Sequence, residues 1–350
     1  MQAEKGEVKR DIKSMLPEEI GEYLAEHGEK SFRAGQIFRW LTAGVKSFDE
    51  MTNISKPLRE RLKEDFYISS LEVLRRQRSE LDGTIKYLWR LGDGNAVESV
   101  LMKYEYGYSI CVSSQAGCRM GCIFCASTGC GLVRNLRPSE ILDQIRCTEL
   151  DSDVKISHIV LMGIGEPMDN FDNVMRFLRL VNHPDGLNIG MRHISLSTCG
   201  LTDGIERLAG YNLQLTLSVS LHAPDDETRD KLMPVNRGCG VKKLMDACRA
   251  YYDKTGRRIS FEYALIKGVN DSDAQARQLA ALVRPIGGHI NIIPLNNIEG
   301  SPLKPGDARA FAAKLAALGA NATVRRRLGS DIDAACGQLR RKTAQEEPRR

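Results

Sequence analysis

Between Ile110 and Pro294 the chain repeats one pattern, a short apolar run followed by a segment with helical spacing. The apolar runs lie at Ile110–Val112, Ile156–Met162, His193–Ser197, Gln214–Leu221, Ile259–Leu265 and His289–Pro294. Helical candidates fall between and after them at Pro138–Ile145, Asn173–Val181, Gly204–Ala209, Val241–Tyr252 and Ala274–Val283, with a short extra one at Asp225–Leu232. A further helix at Ala312–Leu318 leads to a late strand at Thr323–Leu328. Strands that alternate with helices cannot pair as hairpins, so they imply a parallel sheet covered by its crossover helices. Six units are fewer than the eight that close a full barrel. The expected fold class is therefore α/β, a partial (β/α)6 TIM-like barrel, with its chemistry on loops leaving the C-terminal ends of the strands.

The chain ahead of the barrel reads differently. From Leu16 to Phe66 the apolar residues recur at helical spacing, with Phe32, Ile37, Trp40 and Leu41 close to one stripe and a surface rich in Lys and Arg. From Leu71 to Leu101 the pattern becomes short β-type runs, Ile85–Leu91 and Val97–Met102, bounded by Asp82-Gly83 and Gly92-Asp93-Gly94. The expected organisation is an N-terminal helical accessory domain (1–66), a β-hairpin linker (67–105), the barrel (106–339) and a polar, basic tail (340–350). The length of 350 residues agrees with about two domains. With 42% hydrophobic residues and 50 Lys+Arg against 45 Asp+Glu, the composition is that of a folded chain. Charged residues interrupt the first fifteen positions, and no later run approaches the ~18 apolar residues of a membrane span. A cytoplasmic protein without membrane contact is expected. The formal charge of +5 is too small to name a nucleic-acid partner by itself.

In a reducing compartment ten cysteines point to metal or redox chemistry rather than to a disulfide framework. Five of them, Cys111, Cys118, Cys122, Cys125 and Cys130, fall between 111 and 130, on the first barrel strand and the loop that follows it. Cys118-Arg-Met-Gly-Cys122-Ile-Phe-Cys125 is a C-x3-C-x2-C triplet. Three thiolates so close in sequence can hold three irons of a [4Fe-4S] cluster and leave the fourth open to nitrogen and oxygen donors. Gly117 and Gly121 fit the tight wrapping of such a loop, and Phe124 would shield one face. A tetrahedral zinc site using Cys111 or Cys130 as fourth ligand is the alternative from spacing alone.

Polar groups recur at the ends of other strands. Gly165-Glu166-Pro167 ends the second, Ser195-Leu-Ser-Thr-Cys-Gly200 the third, Ser218-Val-Ser-Leu-His-Ala-Pro224 the fourth, and His289-Ile-Asn-Ile-Ile-Pro-Leu-Asn296 the sixth. One such residue alone is ordinarily a turn or a cap. Four equivalent strand ends make a shared site, although His222 alone reads equally as a ligand contact or a structural hydrogen-bonding group.

The triplet followed one βα unit later by Gly165-Glu166-Pro167 resembles the radical S-adenosylmethionine (SAM) superfamily. Over nearly the whole chain the resemblance sharpens to the RlmN/Cfr family of RNA methyltransferases, and within it to the RlmN branch. The residues that carry it include Phe32–Trp40, Ser47-Phe-Asp-Glu-Met-Thr52, Ser113-Ser-Gln-Ala-Gly-Cys118, Gly131-Leu-Val-Arg-Asn-Leu136, Ser220-Leu-His-Ala-Pro224, Phe261-Glu-Tyr263 and Asp331-Ile-Asp-Ala-Ala-Cys-Gly-Gln-Leu339. Ile164 and Leu328 stand where the family has Met and Arg, and neither change removes a reactive group.

The resemblance implies a [4Fe-4S] cluster on Cys118, Cys122 and Cys125. It also implies SAM held by Gly165, Glu166, Ser197, Ser220, Leu221, His222 and Asn296. Two SAM molecules are consumed per turnover. Cys336 takes a methyl group from the first, and a 5′-deoxyadenosyl radical from the second removes hydrogen from that methyl. The carbon radical adds to adenine C2, Cys111 resolves the protein–RNA adduct as a disulfide with Cys336, and Glu98 accepts the ring proton. External thiols then reduce the disulfide. Without the resemblance, Cys111 and Cys336 would read as packing thiols and Glu98 as a solvent-facing strand residue. Implied partners are 23S rRNA in its peptidyl-transferase region, tRNA at the adenosine 3′ of the anticodon, and an electron donor such as flavodoxin. Candidate phosphate contacts are Arg75-Arg76, Arg134 with Arg137, Arg257-Arg258 and Arg325–Arg327. Cys130, Cys147, Cys199, Cys239 and Cys248 have no assigned role. Methylation of adenine C8 is the alternative within the family, and a zinc-stabilised RNA-binding protein without catalysis is the alternative outside it.

Overall fold

The computed structural model describes residues 9–295 and 302–332, without the side chains of 129 and 130. Asn296 and Cys336 therefore lie outside the described residues, as does the tail. All six expected barrel strands are present and parallel: Gly107–Cys111, Ile156–Leu161, Ile194–Thr198, Thr216–Ser220, Ser260–Leu265 and His289–Pro294. The late strand is shorter and earlier than expected, Asn321–Val324, and pairs parallel with the sixth. Its successor residues leave the sheet and turn toward the mouth of the barrel, so the Arg325–Leu328 pattern belongs to a loop.

The β-type segment before the barrel is a three-stranded meander, Glu72–Arg78, Ile85–Arg90 and Ala96–Tyr104, and not a simple hairpin. Glu72–Arg78 escapes sequence reading because it is a half-exposed edge strand without apolar alternation. The meander extends the barrel sheet, with Ala96–Tyr104 antiparallel to the first barrel strand, giving one ten-stranded sheet. That sheet is open at Glu72–Arg78 and Asn321–Val324, yet Val100 near one end and Ile293 and Arg325 near the other line the same cavity. It is therefore curved into a partial barrel.

Helices Pro17–Glu26, Arg33–Ala43 and Lys56–Asp65 bury their own apolar core around Ile20, Leu24, Ile37, Phe38 and Leu62. Leu180, on the barrel helix Phe171–Asn182, enters that core. A buried Lys13–Asp143 ion pair and an Arg176–Glu19 ion pair join the two parts. Phe32 does not join the expected stripe: it sits at the helix N-terminus and is 59% exposed, while Trp40 turns its ring nitrogen to Asn53 Oδ1 at 2.6 Å. Among the described residues no helix is long and apolar enough to cross a membrane.

Candidate active site

The first barrel strand ends at Cys111, and the chain then makes a small antiparallel ribbon, Gln115–Gly117 against Leu132–Asn135, whose arms bracket the cysteine loop. Gly117 takes φ +89°, and a Cβ there would stand 2.0 Å from the Gly131 carbonyl oxygen. Only glycine permits that closure, which Cys118 completes by donating its backbone N–H to Gly131 at 2.9 Å. Cys118, Cys122 and Cys125 all line one cavity of about 610 Å³ at the C-terminal ends of the strands. Phe124 lies on its wall, edge-on to His222 at 4.7 Å.

The donor set suits a cationic cluster. Burial pushes the Cys118 thiol up to about 11 and the Cys122 thiol up to about 12, and neighbouring Cys125 and Glu166 push each in the same direction. Three thiols that oppose one another's ionisation become thiolates only when a cation shares the site. Among the described residues no three His, Cys, Asp or Glu groups converge on a single ion. A cluster takes one thiolate at each of three separate irons, which the three cavity-lining cysteines can supply.

Opposite this loop stands Glu166. Gly165, at φ +108°, lets the second strand end against Gln115, where a Cβ would come within 2.7 Å of backbone. Gln115 Oε1 accepts from the Glu166 N–H at 2.8 Å. The Glu166 carboxylate accepts from Met168 N–H at 3.0 Å and Cys199 N–H at 2.7 Å. Burial raises its pKa, and those backbone donors oppose the rise. The Cys199 and Thr198 side chains also hydrogen-bond this carboxylate, whose negative charge suits an ammonium group.

Ser197, Ser220 and His222 line the same cavity. Leu221 is fully buried in the core, and its backbone is engaged, the N–H donating to the Glu262 carbonyl at 3.1 Å and the carbonyl accepting from Ala223 N–H at 2.7 Å, so it supports its neighbours Ser220 and His222. His222 holds a left-handed backbone at φ 57°, and its Nδ1 accepts from Ala264 N–H at 2.9 Å. That bond places the ring proton on Nε2. Burial lowers the His222 pKa to about 3, leaving the ring neutral.

Sequence reasoning missed what holds these strand ends. Arg229, on helix Asp226–Leu232 and 1% exposed, donates to the carbonyls of Leu221 at 3.0 Å, Cys199 at 2.7 Å and Ser220 at 3.1 Å, and to Asn236 Oδ1 at 2.6 Å. Its fork ties the third and fourth strand ends together. Arg229→Met is expected to cost about 3–5 kcal/mol by orphaning buried acceptors, read from the midpoint of chemical denaturation, and to weaken SAM binding in parallel.

Glu98 corrects the expectation of a solvent-facing residue. It is 3% exposed and pairs with Lys86, itself 0% exposed, at 2.9 Å. Cys111 is buried on the same sheet face, with Val100 and Met102, and borders the cavity. Past the seventh parallel strand the chain crosses the mouth: Arg325, Arg326, Arg327, Leu328, Gly329 and Ile332 all line the cavity. The turn of the meander fastens this crossing, since Asp82 Oδ2 accepts from Gly329 N–H at 2.8 Å and Asp331 Oδ1 accepts from Ser79 Oγ at 2.6 Å.

The basic patches separate by position. Arg325–Arg327 lie at the mouth, whereas Arg257 and Arg258 line a second cavity at the opposite ends of the strands with His289. Arg134 is engaged by Glu140 at 2.7 Å and by Asp93, and Arg76 by Asp151 at 2.8 Å.

Comparison with known proteins agrees with this arrangement. Residues 112–280 match the Radical SAM superfamily model, and residues 11–68 match the model of the ribosomal RNA large subunit methyltransferase N-terminal domain. A probable dual-specificity RNA methyltransferase RlmN of Desulforamulus reducens is 54% identical over 338 residues, covering 95% of this chain and 97% of the relative. The protein of the same description from Staphylococcus carnosus is 51% identical over 348 residues, covering 97% and 95%. A crystal structure of a radical SAM methyltransferase from Sphaerobacter thermophilus superposes with a TM-score of 0.88 at 41% identity, covering 94% of this chain and 98% of that one. Membership of the superfamily implies a 4Fe–4S cluster and SAM. The chain belongs to the RlmN family of radical SAM dual-specificity RNA methyltransferases.

Proposed function

We propose that this chain methylates C2 of an adenosine in the peptidyl-transferase region of 23S rRNA and of the adenosine 3′ of the anticodon in tRNA, in the cytoplasm, consuming two SAM molecules per turnover. The observation that carries this reading is the placement of Cys111 in the cavity wall beneath a crossing segment, Arg325–Ile332, that leads directly to Cys336. A thiol in the cavity wall, with a second thiol four residues beyond the crossing segment in sequence, suits a reaction in which one carries the methyl group and the other releases it.

Cys118, Cys122 and Cys125 would hold the cluster. Bound there, cluster and SAM supply a carbon-centred radical able to activate a methyl C–H bond, chemistry that no protein side chain provides. Glu166 would orient the amino acid end of SAM, while Ser197, Ser220 and neutral His222 would meet its nucleoside, with Leu221 holding the strand end between the last two and Asn296 adding a further contact. Cys336, as thiolate, would accept a methyl group by substitution. Cys111 would attack the Cys336 sulfur, and Glu98 would take the ring proton. Arg325–Arg327 would draw RNA phosphates to the mouth, and the helical region 1–66 would extend the RNA surface. A one-electron donor such as flavodoxin completes the set of partners.

Product identity tests this reading. Protein reconstituted anaerobically with iron and sulfide is expected to be brown and to yield 2-methyladenosine from both RNAs, measured by chromatography and mass spectrometry of digested nucleosides. Exclusive 8-methyladenosine would move the reaction to the other ring carbon. A colourless protein with stoichiometric zinc would overturn the radical reading.

A further inference from the structure

We propose that Lys86 is a positioning residue for the release of RNA, fixing the direction of the Glu98 carboxylate on the sheet face that Cys111 shares. The proposal rests on the reading of Glu98 as the group that takes the ring proton. Its observation is the pair itself, Lys86 Nζ to Glu98 Oε2 at 2.9 Å with side-chain exposures of 0% and 3%.

The register explains how the pair forms. Lys86 stands directly opposite Val100, and Val100 directly opposite Cys111, so the three side chains share one face of the sheet. Glu98 is two residues from Val100, on that same face and one pleat nearer the mouth, where Ser113 Oγ donates to the Glu98 carbonyl at 2.6 Å. Val100, Met102 and Cys111 form an apolar cluster on this face, with Leu328 packed against it. An ammonium and a carboxylate withdrawn together from water in such surroundings add little to stability, because an apolar pair of similar volume serves as well or better. The pair therefore has a use beyond folding, and its place on the Cys111 face connects it to the chemistry there.

A proton acceptor works only when its oxygen is held within hydrogen-bond reach of the proton it takes, and a buried ion-pair partner fixes that direction. With Lys86 present, Glu98 enters the release step fixed in direction. In that step the C2–H bond breaks and the proton passes to a Glu98 oxygen. The bonding pair stays with the adenine ring, and the ring's unpaired electron leaves to the one-electron carrier that opened the cycle.

The experiment uses full-length reconstituted enzyme as wild type, Lys86→Met, Glu98→Gln and the Lys86→Met/Glu98→Gln double variant. Methylation of Cys336 is read by intact mass, 5′-deoxyadenosine by chromatography, the covalent protein–RNA adduct by denaturing gel, and product by nucleoside analysis. Lys86→Met is expected to keep Cys336 methylation and 5′-deoxyadenosine formation, to lose product by about 100-fold, and to accumulate adduct as Glu98→Gln does. With Gln at 98 there is no carboxylate to hold, so the double variant is expected to match Glu98→Gln in every readout. If Lys86→Met alone does not fold, Lys86→Arg, which keeps the charge but alters its reach to Glu98, is read in its place: adduct accumulation with Cys336 methylation kept is expected, and product within about threefold of wild type overturns the proposal. Product from Lys86→Met within about threefold of wild type, or a double variant that also loses Cys336 methylation, overturns the proposal. A fully active Glu98→Gln enzyme overturns the reading of Glu98 itself, whereas an inactive Glu98→Gln beside a normal Lys86→Met sinks only the role of Lys86.

Discussion

Cys336→Ala is expected to lower RNA methylation by at least about a thousandfold while iron content and SAM binding stay at wild-type levels. A thiolate is the nucleophile in this scheme, and alanine offers no atom that can carry a methyl group. The structure makes the prediction specific. Ile332 already lines the cavity, and Cys336 follows four residues later. The cluster thiols and Glu166 belong to other loops, so their assembly does not pass through residue 336. Anaerobic assay of 2-methyladenosine, with iron analysis and SAM titration on the same sample, checks the result. Retained methylation would show that the methyl group takes another route.

Cys111→Ala is expected to stop turnover at a different point, leaving RNA joined to protein. Cys111 packs with Val100 and Met102 and is 6% exposed, so deleting its sulfur costs about 1 kcal/mol of stability and leaves the fold intact. What is lost is the attacking thiolate that would break the bond between the Cys336 sulfur and the new carbon. A slow band on a denaturing gel, sensitive to ribonuclease and absent from a Cys336→Ala/Cys111→Ala double variant, is the expected signature. An assembled Cys111→Ala enzyme that releases methylated RNA freely would return Cys111 to the role of a packing thiol.

Local rules made several elements legible. Strand and helix alternation revealed the barrel because each unit must bury one face, and the pattern of burial is written into consecutive residues. Gly117 and Gly121 announced a tight loop because a positive φ excludes most other residues, and both adopt one, at +89° and +75°. The Lys86–Glu98 pair was invisible, since Glu98 on an alternating strand looks the same whether its face meets water or a neighbouring element. Register across two strands buries it, and register is not a local property. Arg229 was likewise hidden. Its role depends on helix Asp226–Leu232 folding back over two strand ends that lie 30 and 8 residues away in sequence.

By itself, then, the sequence determined which segments become strands and helices, where the thiol loop is placed, and which family of chemistry it resembles. Those follow from spacing, turn residues and short motifs, all encoded within a few positions. Tertiary structure alone decided that the meander joins the barrel sheet, that Glu98 is a buried ion-pair partner, that Arg229 clamps the strand ends, and that only Arg325–Arg327 among the basic patches lines the mouth cavity. Each of these depends on contacts between residues far apart along the chain, whose energies appear only once the sheet has curved and brought them together.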